Sequence, residues 1–110
     1  MPRENDALQG TLDLLVLKTL AQLGTMHGFG IALHIKQTSN DLLRVEEGSL
    51  YPALRRMEQS GWITSEWSTT TNNRRARFYR LSAFGRRRLA QEEESWADLV
   101  RGVKALLQYA

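Results

Sequence analysis

The sequence predicts a mainly α-helical fold with a two-stranded β-wing, that is, a winged helix-turn-helix followed by a long C-terminal dimerisation helix. Three observations predict this fold. Apolar residues repeat with the period of an α-helix up to about residue 60 and again after residue 82. Between these segments the residues become β-branched and aromatic around a polar turn. Positions 74–88 hold seven arginines and no acidic residue, so this part of the chain is strongly basic.

The composition limits the classes of protein that the chain can represent. Its 110 residues predict one compact unit, with residues 1–82 as the winged helix-turn-helix and residues 83–110 as the last helix. The net charge of +3 favours an anionic partner. The absence of cysteine excludes disulfides and thiolate metal sites, and no cofactor is expected. We find neither a signal pattern nor a membrane span, so we expect a cytoplasmic protein with no membrane partner.

The first two helices are predicted from apolar spacing and from glycine. Thr11 is expected to cap a helix that Gly24 ends, and the polar turn after it leads into a second helix over residues 29–38. Within that second helix, the side chains expected to face inward are Phe29, Ala32, Leu33 and Ile35. Residues 39–41 break the helix, and residues 42–45 are expected to be extended.

A third helix is predicted from Ser49, as its cap, to Gly61, which closes it. Pro52 is expected in its first turn, where the missing amide proton is tolerated. The apolar residues of this helix share one side, whereas Arg55 and Arg56 lie on or beside the opposite side, which suits insertion into a nucleic-acid groove. An ordinary surface helix has the same pattern. Tyr51 lies near the boundary of the two sides, so a buried packing role competes with a contact to DNA.

A β-hairpin is predicted after Gly61, from residues 62–67 and 77–81 joined by a polar turn. Its tip carries Asn72, Asn73, Arg74 and Arg75. A hairpin that directly follows a helix-turn-helix is the wing of a winged helix, and its arginines fall where a wing meets phosphate. The competing interpretation is a solvated loop that arginine keeps soluble.

The last helix is expected to begin after Ser82, which caps it, and to run to about Tyr109. Leu89, Trp96 and Val103 follow one another at intervals of seven residues, and one small domain cannot cover so long an apolar stripe. The stripe therefore predicts a homodimer, with the first helix contributing. The competing interpretation is a stripe folded back on its own domain. The interface residues predicted are Leu12, Leu15, Leu89, Trp96, Leu99, Val100, Val103, Leu106 and Leu107.

Trp96 is also the candidate effector-binding residue. If the last helices pair near their middles, two Trp96 indoles could sandwich a flat apolar ligand and so change the spacing of the third helices. The alternative is that Trp96 fills the dimer core.

Enzymatic activity is not expected. His27 and His34 are the only histidines, and no carboxylate shares an obvious face with them, so neither a metal site nor a general base is supported. Residues 28–30 follow no strand and lack the third glycine of a dinucleotide fingerprint. A winged helix that docks protein instead of DNA is the alternative left open.

Four segments, residues 10–17, 27–31, 47–54 and 77–82, together resemble the PadR family of bacterial transcriptional regulators, in its branch with a single C-terminal helix. The resemblance extends from about Leu8 to the C-terminus. It implies a homodimeric winged-helix repressor that binds a palindromic operator and is often released by a small aromatic or drug-like ligand. Phe29 departs from the family, which often has tyrosine at this position.

The expected partners are therefore double-stranded DNA, a second copy of the chain and a small planar hydrophobic effector. Either Arg55 or Arg56 could bind guanine O6 and N7, and the sequence does not decide which of the two contacts a base. The wing arginines are expected to contact phosphate. The DNA-binding residues predicted are Ser49, Tyr51, Pro52, Arg55, Arg56, Asn72, Asn73, Arg74, Arg75 and Arg77.

Overall fold

The computed structural model describes residues 6–109, with side chains from residue 10 onwards. Four helices and a three-stranded antiparallel sheet of order β1-β3-β2 make up this α+β fold. In chain order the elements are α1 (Asp6–Leu23), β1 (Thr25–His27), α2 (Gly28–Thr38), α3 (Glu47–Gln59), β2 (Ile63–Thr69), β3 (Arg75–Leu81) and α4 (Ala83–Leu107). None of these helices has both the length and the apolar composition that crossing a membrane requires.

The core lies where α1, α2 and α3 meet the sheet. Each of these helices contributes fully buried side chains, and β2 and β3 close the core with Ile63 and Tyr79. The buried apolar residues are Val16, Leu17, Leu20, Ile31, Ile35, Leu50, Ala53, Leu54, Met57, Ile63, Tyr79 and Leu89. The apolar side predicted for α3 is therefore confirmed.

The predicted beginning of α1 is wrong. The helix starts at Asp6, so Thr11 lies inside it and is not its cap. The predicted end is right, because Gly24 adopts a left-handed backbone with φ of 88°. Residues 25–27, expected as a turn, instead form β1, which pairs with β3 from Thr25↔Arg80 to His27↔Phe78. Three residues give too short an alternation to be recognised as a strand, so only the pairing identifies it.

Helix α2 agrees with its predicted range to within one residue, but its inward face differs. Ile35 is buried, as expected, together with Ile31, whereas Phe29 is 65% exposed and Leu33 lies at the surface. The following residues 42–45 form no strand. They belong to a loop that includes Asn40 and Asp41, both in the left-handed region. Asparagine and aspartate are among the non-glycine residues that tolerate this region best.

The wing consists of β2, β3 and the turn between them, residues 63–81. Its seven residue pairs extend from Ile63↔Leu81 to Thr69↔Arg75, so both strands are longer at the tip than the sequence predicts. The wing passes directly into α4 at Ser82. The hydroxyl of Ser82 accepts the N–H of Gly85 at 2.9 Å, which confirms the predicted cap, and donates to the carbonyl of Gly61 at 2.6 Å.

Helix α4 packs on the domain only through its first part. Leu89 is buried in the core of its own chain, so its prediction as a dimer-interface residue is wrong. The residues at intervals of seven from Leu89 begin in the domain core and then lie on a surface that the chain itself leaves uncovered. Farther along, the apolar side chains of Trp96, Leu99, Val103 and Leu106 are 45–75% exposed. Leu12 and Leu15 are partly buried against the core.

Candidate nucleic-acid interface

The candidate site is built on the exposed side of α3 and on the adjacent wing. Helix α3 begins at Glu47 after Glu46, so Ser49 is not its cap, and Pro52 lies beyond the first turn. Pro52 is exposed, as are Ser49, Tyr51 and Arg55. The four buried residues of α3 hold the opposite side of the helix in the core, and this fixes which side chains solvent can reach.

The structure separates the two candidate arginines of α3. Arg56 donates from both terminal nitrogens to the carboxylate of Asp13, at 2.9 and 2.7 Å, while Arg55 is exposed. Asp13 is only 5% exposed, and this hydrogen-bonded carboxylate raises the pKa of the Arg56 guanidinium. Arg56 therefore ties α3 to α1, and the prediction that it binds DNA is not retained. Asp13 and Arg56 are far apart in sequence, so their contact leaves no local sequence signal.

Tyr51 lies on α3 where this helix crosses the N-terminus of α2. A Cβ added to Gly28 would come within 2.7–2.9 Å of three atoms of the Tyr51 ring and hydroxyl, so only glycine allows this approach without a shift of the ring. The ring is nevertheless 44% exposed. One part of the Tyr51 ring therefore packs against α2, while the other part is exposed to solvent and remains available for the predicted contact with DNA.

The tip of the wing is a tight turn with a left-handed residue. The N–H of Thr70 donates to the carbonyl of Arg74 at 2.7 Å, and Asn73 has φ of 62°. All four residues of the tip, Asn72 to Arg75, are exposed. The predicted polar turn is confirmed as a turn.

A groove of about 1030 Å³ separates the wing from α2 and α3. One wall carries Trp67, Asn72 and three arginines of the wing, and the other carries Tyr51 of α3 and the N-terminal residues of α2. Ser49 and Pro52 do not line this groove; they line a second cleft between α3, α1 and the loop before α3, together with Arg44. The arginines that line the groove are Arg74, Arg75 and Arg77.

Hydrogen bonds connect the wing to the end of α3. The Nε of Arg77 donates to the hydroxyl of Ser65 at 2.8 Å, and this hydroxyl donates to the carboxylate of Glu58 at 2.7 Å. Tyr79 lies in the same region. Burial raises the pKa of its phenol, an effect that the positive charge of Arg77 partly opposes. The wing is therefore held at a defined position beside α3.

Both histidines have structural partners. The Nδ1 of His27 accepts the N–H of Gly30 at 3.0 Å and so caps α2, while the ring lies beside Phe29 and Phe78. His34 shares a hydrogen bond of 2.9 Å with Gln22. The exposed Phe29 lies at the groove, a placement that the sequence analysis missed because an apolar residue in a helix was assigned to the core.

Trp67 is the second residue that the sequence analysis missed. Its ring is 56% exposed and lines the groove, with the guanidinium carbons of Arg75 and Arg77 each 5.5 Å from the ring centroid. The strand pattern contained a signal, because Trp67 lies opposite Arg77 and Arg75 is two residues farther along the same face of β3.

Trp96 lies away from this groove. Its ring, 45% exposed, lines a cleft of about 400 Å³ between α1, α2 and α4. The polar groups at this cleft include the ion pair of Lys18 with Glu93, whose charged atoms are 3.4 Å apart.

Comparison with known proteins relates this fold to a family. The model of the transcriptional regulator PadR-like family matches residues 16–91, which include α2, α3 and the whole wing. A transcriptional regulator of Mycobacterium tuberculosis is 37% identical over 60 residues, which are 54% of this chain and 55% of that protein.

Solved structures extend the similarity to nearly the whole chain. A transcriptional regulator from Clostridium thermocellum matches with a TM-score of 0.80 and 28% identity, over 94% of this chain and 99% of the other. A PadR family transcriptional regulator from Eggerthella lenta matches with a TM-score of 0.75 and 31% identity, over 94% and 88%. Both of these proteins are transcriptional regulators. The chain belongs to the PadR-like family of transcriptional regulators.

Proposed function

We propose that the protein is a homodimeric, sequence-specific DNA-binding repressor that recognises a palindromic operator. The observation that carries this proposal is the groove between the wing and α2, which is lined by Tyr51 of α3 and by three arginines of the wing. A helix with exposed polar side chains suits the major groove, and a basic hairpin beside it suits the phosphate backbone. Such a regulator acts in the cytoplasm, at the nucleoid.

The distribution of ion pairs supports an anionic partner at this surface. Among the described residues, the cations of α1, α2 and the later part of α4 include several with acidic partners, as in Lys18–Glu93, Lys36–Asp41 and Arg101–Asp98. No described ion pair includes Arg55 or the three wing arginines that line the groove, Arg74, Arg75 and Arg77. These four cations are therefore available to phosphate or to a base edge without first breaking an ion pair.

The bare stripe of α4 supports the proposed dimer. Its exposed apolar side chains would be covered by the same helix of a second copy, and the partly buried Leu12 and Leu15 of α1 lie on the helix expected to assist. A two-fold axis between the α4 helices would place two α3 helices for half-sites about 34–36 Å apart, one turn of the duplex.

We further propose that a small planar hydrophobic molecule at Trp96 regulates DNA binding. The exposed indole and the cleft beside it support this assignment, because cavities of this size hold small ligands. A ligand there would act by changing the distance between the two α3 helices of the dimer.

Selection of bound sequences from a random pool of DNA duplexes tests the proposal. We expect a symmetric consensus with half-sites one duplex turn apart, and a shift of the duplex in a mobility assay at low salt. An absence of any shift would favour the alternative, a winged helix that docks protein.

A further inference from the structure

We propose that Trp67 is a positioning residue that holds the guanidinium groups of Arg75 and Arg77 side by side, aimed into the groove where phosphate is expected. This inference rests on the proposed DNA binding. It assigns a role to an exposed tryptophan that is not part of the buried core. The observation that carries it is the simultaneous contact of both guanidinium groups with one exposed indole.

The register of the wing produces this arrangement. Trp67 is the direct cross-strand partner of Arg77, and Arg75 is the next residue on the same face of β3. A large ring in β2 therefore reaches both its direct and its diagonal neighbour. The three side chains line the groove, so the guanidinium groups are held on the wing side of the groove.

The contact matters because free arginines are poorly oriented. Arginine loses much rotamer freedom when it binds, and a cation held over an indole has already lost part of that freedom. Arg77 has a second restraint, since its Nε donates to Ser65 at 2.8 Å, which leaves its terminal nitrogens for an anion. Among the described ring contacts of arginine, none includes Arg74 at the tip. The wing thus presents two oriented arginines and a less restrained one.

The test compares the full-length protein with the variants Trp67→Phe and Trp67→Leu. Binding to a fluorescent DNA duplex of random sequence is measured at several salt concentrations. We expect Trp67→Phe to bind nearly as tightly as the original chain, because it keeps a ring, and Trp67→Leu to bind about five- to tenfold more weakly. The salt dependence should be the same in all three, because the number of cations is unchanged.

A second readout without DNA keeps this inference separate from the proposed function. Nuclear magnetic resonance detects ring-current shifts at the Nε–H protons of Arg75 and Arg77, and we expect these shifts to persist in Trp67→Phe and to disappear in Trp67→Leu. The matched control is Phe84→Leu, because Arg87 lies 5.7 Å above the Phe84 ring away from the groove. This variant should change the Arg87 signal alone and leave DNA affinity unaltered.

The outcomes distinguish the positioning role of Trp67 from the proposed DNA binding. A chain that binds no duplex, yet shows the ring-current shifts, would refute the proposed function while the contact of Trp67 with its arginines stands. Equal DNA affinity in Trp67→Leu and the original chain, or equal weakening in Trp67→Phe and Trp67→Leu, would refute the positioning role.

Discussion

At the residue scale, the adjacent residues Arg55 and Arg56 lie in different surroundings. Arg55 is exposed to solvent, whereas Arg56 binds both oxygens of the buried Asp13. One residue along a helix turns the side chain by about 100°, which is enough to move a cation from solvent to the contact between α3 and α1. Local sequence treats the two as equivalent, and only their surroundings distinguish them.

We therefore predict that Arg56→Ala mainly lowers stability and that Arg55→Ala mainly weakens DNA binding. Arg56→Ala leaves a buried carboxylate without its charged donor and should lower the free energy of unfolding by about 2 kcal/mol. Arg55→Ala should change stability by less than about 0.5 kcal/mol but weaken DNA binding. Urea unfolding and mobility shifts measure the two quantities, and an Arg56→Ala variant as stable as the original chain would contradict the role of the ion pair.

Tyr79 gives the folded chain a predicted alkaline pH dependence. Burial raises the pKa of its phenol above the ordinary value of 10.0, so the folded state keeps the proton longer than the unfolded state does. The stabilisation is complete below that value, and the free energy of unfolding should fall as pH rises above it and through the raised pKa.

In a titration followed by tyrosinate absorbance, we expect the last ionisation step to belong to Tyr79 and to be absent in Tyr79→Phe. In the same variant, the free energy of unfolding should fall less at alkaline pH than it does in the original chain. If all tyrosines of the folded chain titrate together near the ordinary phenol pKa, the burial argument is wrong.

At the scale of elements, the junction of wing and α4 determines how the long helix leaves the domain. A Cβ on Gly85 would lie 1.9 Å from the carbonyl oxygen of Trp62, a backbone atom that cannot easily move aside. Together with the cap at Ser82, this close approach fixes the first turn of α4 against Trp62, the residue directly before the wing.

Two glycines of α4 therefore predict opposite results when changed to alanine. Gly85→Ala should cost several kcal/mol, about 4 or more, or prevent folding. Gly102→Ala, with no atom within 4 Å of the added Cβ, should stabilise the helix by up to about 1 kcal/mol. Thermal unfolding followed by circular dichroism compares them, and equal stability of the two variants would contradict the close approach at Gly85.

The wing as an element predicts a salt effect. Replacing both Arg74 and Arg75 by alanine should reduce the slope of log affinity against log salt by about 0.9 for each phosphate that the variant no longer binds. Lys36→Ala serves as the control, since Lys36 pairs with Asp41 outside the groove, and its slope should not change. An unaltered slope in the double variant would remove the wing from the proposed interface.

At the scale of the whole molecule, the shape of one chain leaves an apolar surface of α4 uncovered. The described part measures 57 × 29 × 27 Å, and α4 accounts for 25 residues, or about 37 Å at the usual helical rise. Its last turns carry apolar side chains without cover from their own chain, among them Leu106 and Leu107 at 75% and 77% exposure. A second copy supplies that cover in the proposed dimer.

The double variant Leu99→Glu with Val103→Glu should therefore be monomeric. Both side chains are about half exposed in one chain, so the change should leave the fold of the monomer intact. Sedimentation should show a single chain, and binding to a palindromic duplex should weaken because each half-site is then bound alone. If the original chain itself sediments as a monomer, the proposed dimer is wrong.

The family, the winged helix-turn-helix, the buried side of α3, the turn of the wing and the cap at Ser82 were all predictable from the sequence. Each depends on local periodicity, turn chemistry or a motif, and such signals extend over a few neighbouring residues. The exposed Phe29 and the buried Leu89 were not predictable, because periodicity indicates which residues share a face but not what covers it.

The order of residues alone was enough to establish that α3 has an apolar and a polar side and that a basic hairpin follows it. The folded chain was needed to show that β1 completes the sheet, that Arg56 binds Asp13 instead of lying free on the polar side of α3, and that the Trp67 ring contacts both Arg75 and Arg77. These contacts join residues that are far apart in sequence or on paired strands, so their partners depend on packing and strand register rather than on neighbouring residues.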